Sequence, residues 1–192
     1  MNKRLKQVLA AGLMVLGLGF GREVWAGVGT PDTMTVSVTP GNMQFGVTIT
    51  SGTLNEGYNF GTVDLAASSV STTAIVVTNA GSMSEYFAMK IGNSSPDNWQ
   101  PVTGGTPGQD RFKLVAELGP NQPADSGVGF PDADAMDGGD HASGALFGQG
   151  GLGKTGPGNS RNLWLRITMP NDVTNPVQTA QSMTLTVTGR AD

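Results

Sequence analysis

Asp132, Asp134, Asp137 and Asp140 place four carboxylates within nine residues, with Gly138 and Gly139 between the last two. Calcium takes several carboxylate and carbonyl oxygens on a loop that glycine lets fold back, so this stretch is the candidate metal site. The spacing is not that of an EF-hand, and no glutamate closes it at the twelfth position. A solvated acidic loop is the competing reading. His141 is the only histidine and stands two residues before Ser143. A hydrolase triad would use such a pair with an aspartate, but no G-x-S-x-G elbow presents a serine. One histidine also cannot supply a three-histidine zinc site. Glu56, Glu85 and Glu117 are the only glutamates after residue 26. A glycosidase needs two carboxylates about 5 to 10 Å apart across a cleft; these three are expected to point at water. Trp99 and Trp164 offer ring faces for stacking a sugar, with ordinary packing as the alternative.

Gly148-Gln149-Gly150-Gly151-Leu152-Gly153-Lys154-Thr155 formally matches a phosphate-binding loop. That motif works when a buried strand feeds it and a helix follows, aiming backbone amides at the phosphates. Here Gly156-Pro157-Gly158 follows, which breaks a helix in its first turn. No nucleotide is expected.

The elements that must position these residues are strands. Apolar and polar residues alternate at 33–39 (Met34, Val36, Val38), 43–49, 86–91, 111–118 (Phe112, Leu114, Ala116, Leu118), 163–169 and 183–188. A period of two sets each apolar row on one face of a sheet. Ala74–Val77 is a short continuous apolar run, read as a central strand, and Tyr58–Leu65 is expected to add another. Turn signals such as Pro40-Gly41, Asn79-Ala80-Gly81 and Pro170-Asn171 separate them. Half-buried strands need a second apolar surface, which two facing sheets supply. The expected fold is all-β: one immunoglobulin-like or jelly-roll β-sandwich of about 7–9 strands over residues 27–192. Residues 119–160 hold 12 of the 29 glycines, show no periodicity and read as a Gly/Asp-rich loop inserted at one end of the sandwich.

Lys3, Arg4 and Lys6, an uncharged run from Val8 to Phe20, and Val24-Trp25-Ala26 form the pattern of a cleavable signal peptide at residues 1–26. The run is 13 residues, against roughly 20 needed to cross a bilayer; an uncleaved anchor is the competing reading. Residues 27–192 then carry seven basic and 14 acidic side chains. That balance argues against nucleic acid and anionic lipid as partners. Without cysteine, thiol catalysis and thiolate metal sites are excluded, and an exported domain must hold together by burial and hydrogen bonding.

Asn59-Phe60-Gly61-Thr62-Val63-Asp64-Leu65, followed by Ala74-Ile75-Val76-Val77-Thr78-Asn79-Ala80-Gly81-Ser82, resembles a run found in several immunoglobulin-like sandwich families. With Leu163-Trp164-Leu165-Arg166-Ile167-Thr168-Met169-Pro170 and the N-terminal signal, the chain looks like secreted matrix and filament subunits of the camelysin/TasA type. The resemblance implies an assembly protein, with donation of an N-terminal strand to a neighbour as one route. It assigns no functional residue here. The sequence is therefore expected to encode a secreted, periplasmic or cell-surface structural protein that is not an enzyme, self-associating through residues 33–39. A module binding carbohydrate or another surface polymer through Trp99 or Trp164 is the alternative, and a secreted hydrolase the remote one.

Overall fold

The computed structural model describes residues 46–51, 57–141, 144–175 and 179–191, all within the unit Gly41–Asp192. The signal segment 1–26, the strand expected at 33–39, residues 43–45, Glu56 and Ser143 lie outside the described residues. The described residues are mostly strand among their regular elements, with almost no helix, in two sheets. In order come β1 (Val47–Ser51), β2 (Ser68–Val70), β3 (Ile75–Asn79), β4 (Tyr86–Ile91), β5 (Gln100–Pro101) and β6 (Arg111–Leu118). A single 3-10 turn (Asp132–Asp134), the short α1 (Gln149–Leu152), β7 (Ser160–Thr168) and β8 (Leu185–Arg190) follow.

β7 organises the larger sheet, whose strands run β1-β3-β7-β6-β5. β6 lies antiparallel along one edge of β7, from Lys113↔Thr168 to Leu118↔Leu163. β3 and β2 share the other edge end to end. Between them the chain steps sideways at Ser71, which is fully buried. Its backbone N–H donates to the Leu165 carbonyl at 2.8 Å, and its Oγ accepts the Leu165 N–H at 2.9 Å. A side chain thus replaces a missing ladder partner. The smaller sheet is β4 paired antiparallel with β8.

The two apolar rows meet between the sheets. Ile75 and Val77, Leu163, Leu165 and Ile167, and Phe112, Leu114, Ala116 and Leu118 pack with Phe87, Met89 and Ile91 in one core. Each large side chain so buried contributes about 1.5–3 kcal/mol. The opposite face of β6 and β7 is buried as well, against expectation. Val115 and Trp164 form a second cluster with Phe130 and Ala135. A segment of chain therefore covers the side of the sheet that alternation assigned to water.

Tyr58–Leu65 does not form the strand expected there. The Asn59 side chain accepts the Gly61 N–H at 2.8 Å, which turns the chain, and Tyr58 packs edge-on against Phe60 at 4.8 Å between centroids. An Asx turn competes with strand pairing for the same backbone groups.

Candidate functional site

The Gly-rich stretch is the part of the molecule whose position departs most from the sequence reading. It is no loop hanging from one end. Phe130, Met136 and Phe147 are fully buried along it, and these anchors draw it down one side of the protein. There it bonds first to the edge of β6: Met136 N–H donates to the Leu114 carbonyl at 3.0 Å, and Leu118 N–H to the Phe147 carbonyl at 2.9 Å. It then bonds to β4, in the other sheet. Ile91 N–H reaches the Asp137 carbonyl, Met89 and His141 exchange two backbone bonds, and so do Glu85 and Thr155.

Between those last two contacts a side chain serves as a strand. Gln149 is 2% exposed. Its Oε1 accepts the Phe87 N–H at 2.7 Å, and its Nε2 donates to the Phe87 carbonyl at 2.9 Å. A primary amide carries the same donor and acceptor as a peptide unit, so one glutamine completes the ladder where the backbone has veered away. Uncovered edges of this kind are what recruit other strands, and here the segment covers two of them.

The residues of the phosphate-loop match are used in this packing. α1 spans four residues and ends at Gly153, Gln149 is committed to β4, and Lys154 Nζ lies 5.5 Å from the centroid of the Tyr86 ring. Ala145–Phe147, ahead of it, is turn and not strand.

The four aspartates go to different partners. Asp132 pairs with Lys113 Nζ at 2.7 Å, a bond that holds its carboxyl below the usual range. Asp137 accepts the Gly139 N–H at 2.7 Å and bonds His141 Nε2 at 2.9 Å; the backbone bond first, then the histidine, lower it likewise. Asp140 pairs with Lys90 at 3.0 Å and with Arg190, and the lysine bond lowers it most. Asp134 turns inward. It is 6% exposed and accepts the Phe147 N–H at 2.6 Å. Among the described residues no group of three or more His, Asp or Glu side chains stands close enough to hold a metal ion. Closeness in sequence did not become convergence in space because each carboxylate ties down a different point of the covering segment.

Two glutamates expected at the solvent face are buried, one of them, Glu117, against that segment. Glu117, on β6, is 9% exposed. Burial, and then its hydrogen bond with Asp134, push its carboxyl up to about 8. Gly148, at φ 71, passes so close that a Cβ there would sit 2.6 Å from Glu117 Oε2; only glycine fits both the space and the left-handed backbone. Glu85 is fully buried at the head of β4. Burial raises its carboxyl, with the Gly46 backbone opposing. A Cβ on Gly189, the cross-strand partner of Phe87, would collide with the Glu85 carboxyl.

Trp99 and Trp164 are 7% and 8% exposed, so neither presents an open stacking face. Trp164 lies beneath the covering segment and donates its Nε1–H to the Gly119 carbonyl at 3.2 Å. Trp99 lines a cavity of about 890 Å³ between the sheets, together with Ile49, Tyr58, Phe60, Met169 and Met183. At the polar part of the lining, Asp97 accepts from Gln181 Nε2 at 2.6 Å and from Asn175 Nδ2 at 3.1 Å. Sequence reasoning missed Gln149, the Glu117–Asp134 pair and this cavity. The lone Phe130, Met136 and Phe147 in a Gly-rich stretch were the available signal, because isolated large apolar residues there serve as anchors.

The geometry defines an all-β protein of two sheets in which one side is closed by an irregular segment. No protein-family model matches the chain, and no curated relative matches it.

Proposed function

We propose that the chain is an exported, non-enzymatic structural subunit of a cell surface, extracellular matrix or filament. In this reading its fold is an immunoglobulin-like or jelly-roll β-sandwich, and copies associate by lending residues 33–39 to the open side of a neighbour. One observation carries this: the two sides of the molecule are treated differently. On the β6/β4 side, residues 130–155 occupy both sheet edges. On the other side, β1 and β8 each have one strand neighbour among the described residues. Exposed edges accept added strands, with alternate side chains filling pockets between the sheets.

The proposed donor suits such a site. Met34, Val36 and Val38 form an apolar row at period two, interleaved with Thr and Ser. Seven extended residues reach roughly 23 Å, enough to run the length of the six-residue β8. The apolar cavity supplies a place for the row.

The cysteine-free sequence allows a clean test by disulfide trapping. Chains carrying Ser37→Cys are mixed with differently tagged chains carrying Thr186→Cys or Thr188→Cys, both solvent-facing on β8, and then oxidised. A mixed-tag dimer is expected, and it should vanish when Val36→Arg is added to the donor. Assemblies that form normally yet give no link between chains refute strand donation.

A further inference from the structure

We propose that the cavity between the sheets binds an uncharged amphiphile: a hydrocarbon body ended by a hydroxyl or carbonyl oxygen, seated with that oxygen at Trp99. The inference goes beyond the assembly role, and a donated strand would contest the same space.

Volume and lining set the body of the ligand. The cavity measures about 890 Å³, within the range of small-molecule sites. Phe60, Ile167, Met169, Met183 and Leu185 give it apolar walls, and the flexible thioethers adapt to the shape of what they meet. Ile49 and Leu65 also line it while staying 41% and 38% exposed. They make an apolar rim where the cavity meets solvent. A molecule passing that rim exchanges water for hydrocarbon along its length.

One unpaired donor and one charge set the head. Trp99 is 7% exposed, and its Nε1–H is buried without a partner among the described residues. A buried indole N–H ordinarily finds an acceptor, as that of Trp164 does at the Gly119 carbonyl. A phenyl ring would serve an apolar wall equally well, so this tryptophan offers a donor that the chain around it does not use. Its place is fixed by polar bonds. The Trp99 backbone N–H donates to Ser94 Oγ at 2.9 Å, and that hydroxyl donates to Gln181 Oε1 at 2.8 Å. Gln181 Nε2 donates in turn to Asp97 Oδ2 at 2.6 Å. A head site so braced is organised before a ligand arrives.

Asp97 lines the same cavity, and among the described residues no lysine, arginine or histidine does. A fatty carboxylate would bring a second anion beside Asp97 with no cation to offset it. An alkylammonium would suit the aspartate but has no lone pair for the indole N–H. A hydroxyl or carbonyl oxygen accepts from Trp99 and carries no charge, so it meets both conditions.

The test is displacement of N-phenylnaphthylamine, an uncharged fluorophore that brightens in apolar surroundings, by three ligands of equal carbon count: dodecanol, dodecanoate and dodecylammonium. It is run at neutral pH on wild type and on Val36→Arg, in which the donor row is spoiled. Saturable probe binding is expected. Dodecanol should bind about tenfold or more tightly than dodecanoate, since like charges a few ångströms apart near a protein surface repel by at least that factor. Decanol should be about fifteenfold weaker than dodecanol, the loss of a pair of buried methylenes. Trp99→Phe should weaken dodecanol by about two- to tenfold, the share of one hydrogen bond. Ala180→Trp, at an exposed position of the lining, should abolish probe binding. Binding seen in Val36→Arg alone supports the site and makes the strand its competitor. The proposal is overturned by absence of saturable binding in both chains, or by dodecanoate or dodecylammonium binding tighter than dodecanol. An Ala180→Trp chain that takes up the probe like wild type overturns it as well. The head-group series needs no variant, so poor folding of one leaves the proposal open to refutation. Strand donation is judged separately by the disulfide trap, so failure of the ligand site and failure of the assembly role are told apart.

Discussion

Replacing Gln149 by alanine isolates the contribution of one side chain acting as a strand. The substitution removes both bonds to Phe87, at 2.7 and 2.9 Å, and leaves the Phe87 N–H and carbonyl without those partners beside a fully buried side chain. Leaving a buried polar group unpaired costs about 1–3 kcal/mol, so the two together cost roughly 2–6 kcal/mol. In a protein of this length each kcal/mol moves Tm by about 2–4 °C, and the melting temperature should drop by roughly 4–24 °C. Gln149→Glu should do similar damage for a different reason. Its carboxylate still accepts from Phe87 N–H but presents a second acceptor to the Phe87 carbonyl. Thermal and urea unfolding of the protein, followed by circular dichroism, measure both. Lys154→Ala is the control from the same eight residues, because its contact with the Tyr86 ring is worth only about 0.5–1 kcal/mol. A Gln149→Ala protein within about 0.5 kcal/mol of wild type would refute side-chain completion of the β4 ladder, since that is the range of ordinary surface changes.

Further expectations concern charge, close packing and tryptophan. The ordinary carboxyl value of Glu117 is 4.5 and its folded value about 8. Between these the folded state holds the extra proton, so stability should decline as pH rises, by up to ~1.4 kcal/mol per unit, and level off above. Denaturation midpoints against pH should lose this slope in Glu117→Gln. Asp132 and Asp137 are lowered, so their contribution runs the other way: it is present above their ordinary 3.8 and fades as pH falls below it. Gly189→Ala should destabilise by a few kcal/mol through overpacking against Glu85, and by clearly less in a Glu85→Ala background; equal penalties in both backgrounds would refute the contact. Trp164→Phe forfeits a bond to Gly119, whereas Trp99 Nε1 is buried without a partner among the described residues. Urea titration should therefore find Trp164→Phe costlier than Trp99→Phe by about 1 kcal/mol.

The strand pattern was legible wherever apolar residues formed a row at period two or a short continuous run, whatever covered the other face. β4 and β7 fall where alternation placed them, and β3 where the continuous run Ala74–Val77 did. Alternation reports one buried face, however, and in β6 every residue from Phe112 to Leu118 is buried. The inner row of that strand could be read from Phe112, Leu114, Ala116 and Leu118. The burial of Glu117 could not, because it is imposed by residues 130–148, distant in sequence and free of periodicity. The spread of the acidic stretch was hidden for a related reason. Four aspartates look like one site in a line of text, but irregular chain spaces them along a path, and each meets what it passes. Tyr58–Leu65 shows the opposite limit, where β-prone residues lose to an Asx turn set by Asn59 and Gly61.

The glycines of the covering segment make sense once its task is geometric. To bond β6 in one sheet and β4 in the other, the chain must cross the gap between sheets and change direction repeatedly. A regular strand cannot do this, because its hydrogen bonds lie in one plane and would serve one sheet only. An irregular segment can, provided its path is fixed by side chains in place of a ladder: Gln149 onto Phe87, Asp134 onto Phe147, Asp132 onto Lys113. Under the proposed strand donation, this closure also sets the symmetry of association. With the β6/β4 side occupied, one open side remains, and a donated strand makes the contact heterologous, each copy giving one surface and receiving on another. Heterologous contacts that do not close into a ring propagate as open filaments.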